Sequence, residues 1–201
     1  MTFGMPQSHT TPAGTAGTLT EYLRAHPTPQ VKLHLGCGGM RWQDFVNIDL
    51  YPTDGSTPDS SRAGCVADVF ADIRHLGLPD NSVDEMFSAH TIEHFVRWEA
   101  IAMLQDWYRM LKPGGRLILE TPDFWRCVLW LAHPLGRRRQ AARSQFYGNQ
   151  WDRLDFETHR YVWTAAELKR TLASVGFSRV RTTHRTETHY PGRDVRAEAI
   201  K

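Results

Sequence analysis

Short apolar runs of a strand's length alternate along the chain with longer segments of helical periodicity. The runs lie at residues 31–35, 45–50, 65–69, 83–89, 116–120, 180–186 and 195–200. Between the fourth and fifth runs, apolar residues recur at positions 95, 98, 101, 104, 108 and 111, which is the period of an α-helix. Because strands that alternate with helices form mostly parallel sheets, this order predicts an α/β fold.

Local signals set the ends of the predicted elements. Residues 18–26 predict a short amphipathic helix that ends at Pro27. The sequence Lys-Pro-Gly-Gly at 112–115 predicts the end of the helix that precedes the fifth strand. A capping box at 164–167 predicts the start of a last helix. Residues 51–64, with two prolines and two glycines, predict a polar loop.

The spacing of these elements predicts the domain organisation. Residues 1–30 form a flexible N-terminal segment that carries the short helix, and 31–201 form one main domain. Residues 123–163 are too long for a plain connection, so they predict an insert on the substrate side of the sheet. Only residues 40–44 separate the last glycine from the second strand, which predicts a shortened first crossover. The sheet edge left open there would be covered by residues 18–26 or by a partner.

Composition narrows the functional classes. The chain is 41% hydrophobic and 23% charged, with a net charge of +2, which is too mild to indicate nucleic acid as a partner. Three separated cysteines without a CxxC pair argue against a disulfide framework and against structural zinc. The sequence has no apolar run long enough for a membrane span and no secretory leader, so we expect a cytoplasmic protein without a membrane partner. A homodimer is compatible with this composition.

Candidate ligand-binding residues follow the predicted strands, because ligands bind beyond the carboxyl ends of parallel strands. The first strand runs into Gly36, Cys37, Gly38 and Gly39, and glycines let backbone N–H groups approach a ligand closely. Asp49 ends the second strand, where a carboxylate can accept hydrogen bonds from a ribose diol. This pair of features indicates either a nucleotide-type cofactor site or a plain tight turn, and the motifs that follow favour the first.

An ordered series of motifs resembles the class I S-adenosylmethionine-dependent methyltransferases, especially the broad group called type 11. The motifs are the glycine-rich loop, the acid Asp49, the block from Asp72 through Leu78-Pro79 to Asp84, Glu93-His94 after the fourth strand, Leu111 to Gly115 before the fifth, and Trp163-Thr164 to Gly176-Phe177. The resemblance covers about residues 31–180. Several motifs in the right order are more specific than any one of them.

The resemblance implies a Rossmann-like fold with a mostly parallel seven-stranded sheet, an antiparallel C-terminal strand and S-adenosylmethionine as cofactor. It implies that Leu35, Gly36, Cys37 and Gly38 hold the methionine end of the cofactor, and that Asp49 binds the ribose hydroxyls.

The resemblance also implies how the rest of the cofactor is held. Leu50 and Ile73 would flank the adenine ring, and Asp72 would bond its amino group, although Asp68 competes for that role. The pocket under the sulfonium would be lined by Ala89 and His90.

A histidine-rich segment follows the fourth strand. His90, Glu93 and His94 have the spacing of one helical face, and His159 lies far downstream. Imidazoles and a carboxylate are suitable ligands for a divalent ion, and the set resembles a variant of the site of metal-dependent O-methyltransferases, with His90 in place of a glutamate. We predict that activity needs no metal. His90 and His159 are then candidates for the general base that deprotonates a hydroxyl.

The predicted insert contains the residues that would choose the acceptor. Its aromatic residues, Phe146, Tyr147, Trp151, Phe156, Tyr161 and Trp163, can line an acceptor pocket or form the core of a small helical cap. The arginines 137–139 and Arg143 can form a solvated face or contact a phosphate or an acidic substrate.

These patterns predict an S-adenosylmethionine-dependent methyltransferase that O-methylates a small polar acceptor such as a sugar or a natural product. A metal-dependent O-methyltransferase is one alternative. A NAD-dependent oxidoreductase is another, although Arg41 stands where its third glycine would fall. A non-catalytic nucleotide-binding module of the same fold is a third, and an RNA methyltransferase is disfavoured by the weak positive charge.

Overall fold

The computed structural model describes residues 15–50, 65–148, 157–188 and 191–201, with side chains from Leu19 onward. The predicted loop at 51–64 lies outside the described residues, as do residues 1–14 and two of the predicted aromatics, Trp151 and Phe156.

Seven strands and five helices lie in the described residues. The strands are β1 (Lys32–Leu35), β2 (Val46–Asp49), β3 (Val69–Phe70), β4 (Val83–Ala89), β5 (Leu111–Pro122), β6 (Ser178–Thr183) and β7 (Asp194–Ile200). The helices are α1 (Thr15–Ala25), α2 (Arg97–Met110), α3 (Phe124–Leu131), α4 (Gly136–Tyr147) and α5 (Ala165–Val175), with a short 3-10 helix at Ile92–His94. Six of the predicted strands are present at or near their predicted positions, whereas the third, predicted at 65–69, is a two-residue strand at Val69–Phe70.

The strands form one sheet in the order β3-β2-β1-β4-β5-β7-β6. Neighbouring strands from β3 to β5 are parallel, and β7 runs antiparallel to both β5 and β6. This confirms the predicted α/β fold with its antiparallel C-terminal strand. The strand order reverses between β1 and β4, which is where open α/β sheets bind their ligands.

Most of the core lies on one face of the sheet. Helices α1, α2 and α5 cover that face, and the largest side chain buried there is Trp107 of α2. The opposite face has a much smaller apolar cluster, built on Phe87, Ala89 and Ile118. Adjacent residues of a strand point to opposite faces, so Met86 belongs to the first core and Phe87 to the second.

The connection from β1 to β2 contains no helix, as its shortness predicts. Trp42 of this connection stacks on Phe87 with ring centroids 4.2 Å apart, and Phe45 packs edge-on against Trp42. These two rings cover the sheet where a crossover helix would lie. On the other face α1 packs on β3 with Leu19 fully buried, so the predicted helix at 18–26 covers this edge.

Two local predictions differ from the structure. The helix before residues 112–115 ends at Met110, as predicted, but the strand starts earlier than predicted, because β5 begins at Leu111, which pairs with Val83. The next pair is Glu85 with Arg116, so residues 112–115 bulge out of the ladder. The insert contains a second helix, α4, that was not predicted. It buries only Ala142 and therefore has no apolar face for sequence analysis to detect.

Asp123 joins the insert to α5. One carboxylate oxygen accepts a hydrogen bond from the Arg126 backbone N–H at 2.9 Å and caps α3. The other oxygen accepts from the Ala165 backbone N–H at 2.8 Å, in the first turn of α5. A single side chain thus satisfies orphan donors at the starts of two helices.

A search of the described helices for a membrane-spanning candidate, long and apolar enough to cross a bilayer, finds none.

Candidate active site at the carboxyl ends of the strands

The turn after β1, formed by residues 36–39 and here named the glycine turn, lines a cavity of about 350 Å³ together with His34, Met40, Ala89 and His90. Gly36 and Gly38 have φ values of +73° and +49°, a region that favours glycine. A Cβ on Gly36 would collide with the side chain of Thr91. The turn therefore needs glycine at position 36 for two independent reasons.

Asp49 holds the glycine turn from the end of β2. One carboxylate oxygen accepts a hydrogen bond from the Gly38 N–H at 2.7 Å, and the other accepts from the Leu50 N–H at 2.7 Å. The Asp49 side chain is buried, whereas Leu50 is 40% exposed. The structure thus brings together Asp49 and the glycine turn, the parts predicted to bind the ribose and methionine parts of a cofactor.

The two acids that compete for the adenine role lie at opposite ends of β3. Asp68 precedes the strand, and its carboxylate accepts from Arg41 and from Asn47 near the start of β2. Asp72 follows the strand, on the side of the sheet edge where Asp49 lies, because the Ala71 N–H donates to the Asp49 carbonyl. This position favours Asp72 for the predicted adenine contact.

Asp72 is itself tied to its neighbour Arg74. The guanidinium of Arg74 donates to both carboxylate oxygens, from Nε to Oδ1 at 3.0 Å and from Nη2 to Oδ2 at 2.7 Å. Burial alone would raise the pKa of Asp72, but Arg74 outweighs it and lowers the pKa. Ile73 is buried and its carbonyl accepts from the Trp107 indole, so its contact with an adenine ring would be at the edge of the main core.

His90 follows β4 at the other side of the cavity. With a φ of +51° it turns its ring toward β7, where Nε2 lies 2.9 Å from a carboxylate oxygen of Asp194. Its Nδ1 lies 3.2 Å from Oε1 of Glu93. Burial would lower the pKa of His90, but the two carboxylates dominate and raise it to about 9. At neutral pH this histidine is an imidazolium.

Three charged groups surround His90 and define, with it, what we name the His90 cluster: Glu93, Arg193 and Asp194. Arg193 is fully buried and donates from Nε and Nη2 to the two oxygens of Asp194. Glu93 is also fully buried, and Oε2 accepts from the Thr121 hydroxyl at 3.0 Å. Burial would raise the pKa of Glu93, but His90 and the other histidines nearby hold it far below its usual range. Two cations and two anions compensate one another.

His159 and His94 lie on the far side of Glu93. Their rings meet edge to face with centroids 4.7 Å apart, and one ligand atom each from Glu93, His94 and His159 lie within 4.8 Å of one another. His159 Nδ1 lies 2.7 Å from the Gln145 carbonyl, so Nδ1 carries the proton and a neutral ring has its lone pair on Nε2. The structure groups three of the four residues considered as metal ligands, whereas His90 is engaged by Asp194.

The aromatics predicted to line an acceptor pocket divide by position. Trp163 is fully buried in the main core, and Tyr161 packs on it. Phe146 packs edge-on against Phe124 and holds α4 on α3. Tyr147 is exposed. The described rings therefore act mainly as packing residues of the insert.

Sequence analysis missed Arg193 and Asp194. Their position follows from the antiparallel pairing of β7 with β5, which places Asp194 opposite Pro122 at the carboxyl end of β5. The only signal was two adjacent charges before a predicted strand. An antiparallel final strand brings its first residues, rather than its last, to the ligand edge of a parallel sheet.

Comparisons with known proteins agree with this arrangement. Residues 33–119 match a family model described as a methyltransferase domain. A probable S-adenosylmethionine-dependent methyltransferase of Mycolicibacterium smegmatis is 31% identical over 98 residues, which are 45% of this chain and 37% of that protein. The chain thus spans little more than a third of the length of this curated relative.

Two solved structures illustrate the likeness of the fold. An S-adenosylmethionine-dependent methyltransferase from Archaeoglobus fulgidus has a TM-score of 0.57 at 14% identity, with 92% of both chains covered. The 1,6-didemethyltoxoflavin-N1-methyltransferase of Burkholderia thailandensis, solved with S-adenosylhomocysteine, has a TM-score of 0.57 at 15% identity, covering 92% of this chain and 76% of that one. At such identities the likeness shows the fold alone. The strand order, the matched domain and the curated relative together make this chain similar to the class I S-adenosylmethionine-dependent methyltransferases.

Proposed function

We propose that this protein transfers a methyl group from S-adenosylmethionine to a hydroxyl of a small polar acceptor, such as a sugar or a natural product. The observation that carries the proposal is the cavity between the glycine turn and Ala89-His90, at the point where the strand order reverses. Its volume of about 350 Å³ lies within the range of small-molecule sites.

The residues around this cavity fit the cofactor. When bound, S-adenosylmethionine supplies an electrophilic methyl group on a sulfonium sulfur. The backbone N–H groups of the glycine turn would hold its methionine end, and the Asp49 carboxylate would accept from its ribose hydroxyls. Leu50, Asp72 and Ile73 would hold the adenine, with Ala89 under the sulfur. The space beside Gly38 supports this assignment, since a Cβ there would meet no atom within 4 Å and the turn is open to a ligand at that point.

A hydroxyl acceptor has to lose its proton, and His159 is the better candidate of the two predicted bases because a ring nitrogen of it can accept a proton. The hydrogen bond of its Nδ1 to the Gln145 carbonyl leaves the Nε2 lone pair to accept a proton. His90 is already protonated at neutral pH and both its ring nitrogens face carboxylates. We therefore assign the role of general base to His159. His90 lines the cavity, and its positive charge is balanced by Asp194 and Glu93.

Calorimetric titration with S-adenosylhomocysteine tests the cofactor assignment. We expect Asp49→Asn to weaken binding at least tenfold, because it removes a charge-assisted acceptor worth about 1.5–3 kcal/mol. The matched control is Asp44→Asn, which changes an exposed acid five residues earlier and should bind like the wild type. Equal affinities for the Asp49 variant and the wild type would remove Asp49 from the site.

Transfer of a labelled methyl group to a panel of hydroxyl and amine acceptors tests the chemistry. We expect turnover with a hydroxyl acceptor to fall about 10²–10⁴-fold in His159→Ala, and the deficit to shrink as pH rises because the acceptor then ionises unaided. His26→Ala, at an exposed position just after α1, is the control. Transfer only to amines would overturn O-methylation. Binding of S-adenosylhomocysteine without transfer to any acceptor would favour the non-catalytic alternative.

Exhaustive chelation tests the prediction that activity needs no metal. We expect methyl transfer to survive it. The opposite outcome is that chelation removes activity, that one added metal restores it, and that Glu93→Ala and His159→Ala are both inactive. This outcome would assign the grouped Glu93, His94 and His159 to a metal site. Zinc, manganese or iron would suit these donors better than magnesium.

A further inference from the structure

Helix α3 presents its apolar side to solvent. Trp125, Val128 and Leu129 have the i, i+3, i+4 spacing of one helical face, and Trp125 and Leu129 are 63% and 62% exposed. On the opposite side only Cys127 is buried. A helix of a globular protein normally turns its apolar face inward, so this face is unpartnered within the described residues.

The exposed apolar surface extends to the last residue of α3, Leu131, and beyond it to Leu135. Of the eight large hydrophobic side chains that are exposed in the described residues, five lie between positions 125 and 135, the further two being Leu131 and Leu135. Such a concentration of exposed apolar side chains in one short segment indicates an interaction surface, whereas singly scattered ones are ordinary.

The same helix pair is strongly basic. Residues 124–147 contain five arginines and no aspartate or glutamate, although the whole chain carries only +2. Arginines 137–139 and Arg143 are exposed on α4, which packs against α3. None of the five forms an ion pair with an acid of the described residues. The guanidinium of Arg138 lies over the Trp130 ring at 5.2 Å, so charge and apolar surface are interleaved.

We propose that α3 and α4 bind the surface of an anionic lipid bilayer, with Trp125 and Leu129 inserted at the headgroup level and the arginines of α4 against lipid phosphates. A helix that combines an apolar face containing Trp and Leu with neighbouring arginines is typical of interfacial binding, and long arginine side chains reach phosphates while their stems stay in apolar surroundings. The expectation of no membrane partner depended on the lack of a spanning segment. Binding at the interface needs no such segment.

Two other occupants fit less well. A second copy docked through this patch would bring five arginines against five arginines without a compensating acid, and like charges in an interface oppose association. A nucleic acid would match the arginines, but it offers no partner for the aliphatic side chains of Val128, Leu129 and Leu135. A bilayer surface complements both the charge and the apolar area.

The position of the helix pair would fix the orientation of the protein on the bilayer. Helix α3 starts directly after Asp123, beyond the carboxyl end of β5, so the patch lies at the ligand edge of the sheet. A protein bound through this patch would hold its acceptor side toward the bilayer. This orientation depends on the proposed function, whereas the binding itself does not.

Co-sedimentation with vesicles tests the proposal. We expect the full chain to bind vesicles of equal parts phosphatidylglycerol and phosphatidylcholine at least tenfold more strongly than pure phosphatidylcholine, with binding lowered by salt. The double variant Trp125→Ser/Leu129→Ser should bind the anionic vesicles at least tenfold more weakly. The pair Arg137→Gln/Arg139→Gln should do so by a comparable factor, since each basic residue contributes about fivefold near an anionic surface.

The matched control is Trp98→Ser, which removes an equally exposed tryptophan from α2. It should leave vesicle binding unchanged, and far-ultraviolet circular dichroism and the thermal midpoint should show that all variants are folded. The proposal is overturned if the wild type does not bind anionic vesicles, or if Trp98→Ser lowers binding as much as the α3 variant. It is also overturned if the α3 variant binds vesicles like the wild type but no longer forms a dimer that the wild type shows in sedimentation velocity. The same holds if that variant instead loses affinity for a single-stranded RNA.

Discussion

The glycine turn and the His90 cluster lie on the two sides of one cavity and are held in place by different means. The turn is held by backbone bonds: the N–H groups of Gly36 and Cys37 both donate to the Ile48 carbonyl, and one side chain, Asp49, completes it. The His90 cluster is built from charged side chains, and its central contact joins residues 104 positions apart. Substitutions in the turn should therefore affect shape and binding, and substitutions in the cluster should affect stability.

The largest effect is expected from Asp194→Ala in the cluster. It leaves the fully buried Arg193 and the buried His90 without their shared carboxylate, and breaking a buried ion pair in this way costs about 3–5 kcal/mol. Urea unfolding measures the loss. Asp44→Ala, at an exposed acid, should change stability by less than about 0.5 kcal/mol. A loss of the same small size in Asp194→Ala would mean that solvent, and not charge compensation, stabilises the cluster.

A smaller effect is expected from Gly36→Ala in the turn. A side chain at position 36 would meet both a positive φ and the collision with Thr91, whereas a Cβ on Gly38 would meet a positive φ but no atom within 4 Å. We expect Gly38→Ala to cost about 1–2 kcal/mol from backbone strain alone. Gly36→Ala should cost at least about 1 kcal/mol more and abolish S-adenosylhomocysteine binding.

The double variant Gly36→Ala/Thr91→Ala sharpens this test. Removing the Thr91 side chain should restore the part of the loss that comes from the collision, leaving a deficit similar to that of Gly38→Ala. Unfolding curves of the wild type, the two single variants and the double variant form the cycle. If the losses in free energy of unfolding of the two single variants simply add in the double variant, the cost of Gly36→Ala comes from backbone strain and not from the collision with Thr91.

The smallest effect is the pH dependence of the cluster. Its contribution to the free energy of unfolding should fall by about 1–2 kcal/mol between pH 6 and 8. The folded-state pKa of His90 is raised to about 9, above the value of 6.5 for an unfolded histidine, so the protonated ring stabilises the fold most fully below pH 6.5. This contribution is lost as pH rises through 9. Asp194 and Glu93, the two carboxylates that face the ring, keep their charges over this window because the pKa of each is lowered.

Urea unfolding of the wild type and of His90→Asn between pH 6 and 10, in the presence of a chelator, measures this contribution. Asparagine tolerates the left-handed backbone conformation at position 90, so the variant changes the titrating group with little added strain. The stability difference between the two proteins should narrow as pH rises. A difference that is constant over the range would show that the pKa of His90 is the same in the folded and the unfolded protein.

The turn could be predicted from the sequence because its parts are local. Glycines directly after a strand and an acid at the end of the next strand are read from neighbouring residues, and the family's ordered motifs indicate their roles. The shortened crossover likewise follows from a count of residues. The number of residues in this connection does not predict what covers the sheet in place of a crossover helix. That cover is the stacking of Trp42 on Phe87, a contact that depends on the pairing of distant strands.

The His90 cluster could not be predicted, because it also depends on contacts between residues that are distant in sequence. The spacing of His90, Glu93 and His94 indicates one helical face, but the helix there is a 3-10 turn that begins only at Ile92. His90 therefore lies outside it and faces β7, while His94 faces His159. The partner Asp194 is set by the register of an antiparallel strand, which no local pattern in the sequence encodes.

The shared cap at Asp123 couples two segments that are otherwise far apart in sequence. Its carboxylate accepts from the backbone N–H groups of Arg126 in α3 and of Ala165 in α5, so neither helix start can open without breaking a bond to the same side chain. In native-state amide hydrogen exchange these two sites should behave as one cooperative opening unit, protected and released together. The basic helix pair and the last helix would then fray as a single body, and the strands beneath them would keep the slower exchange of the sheet.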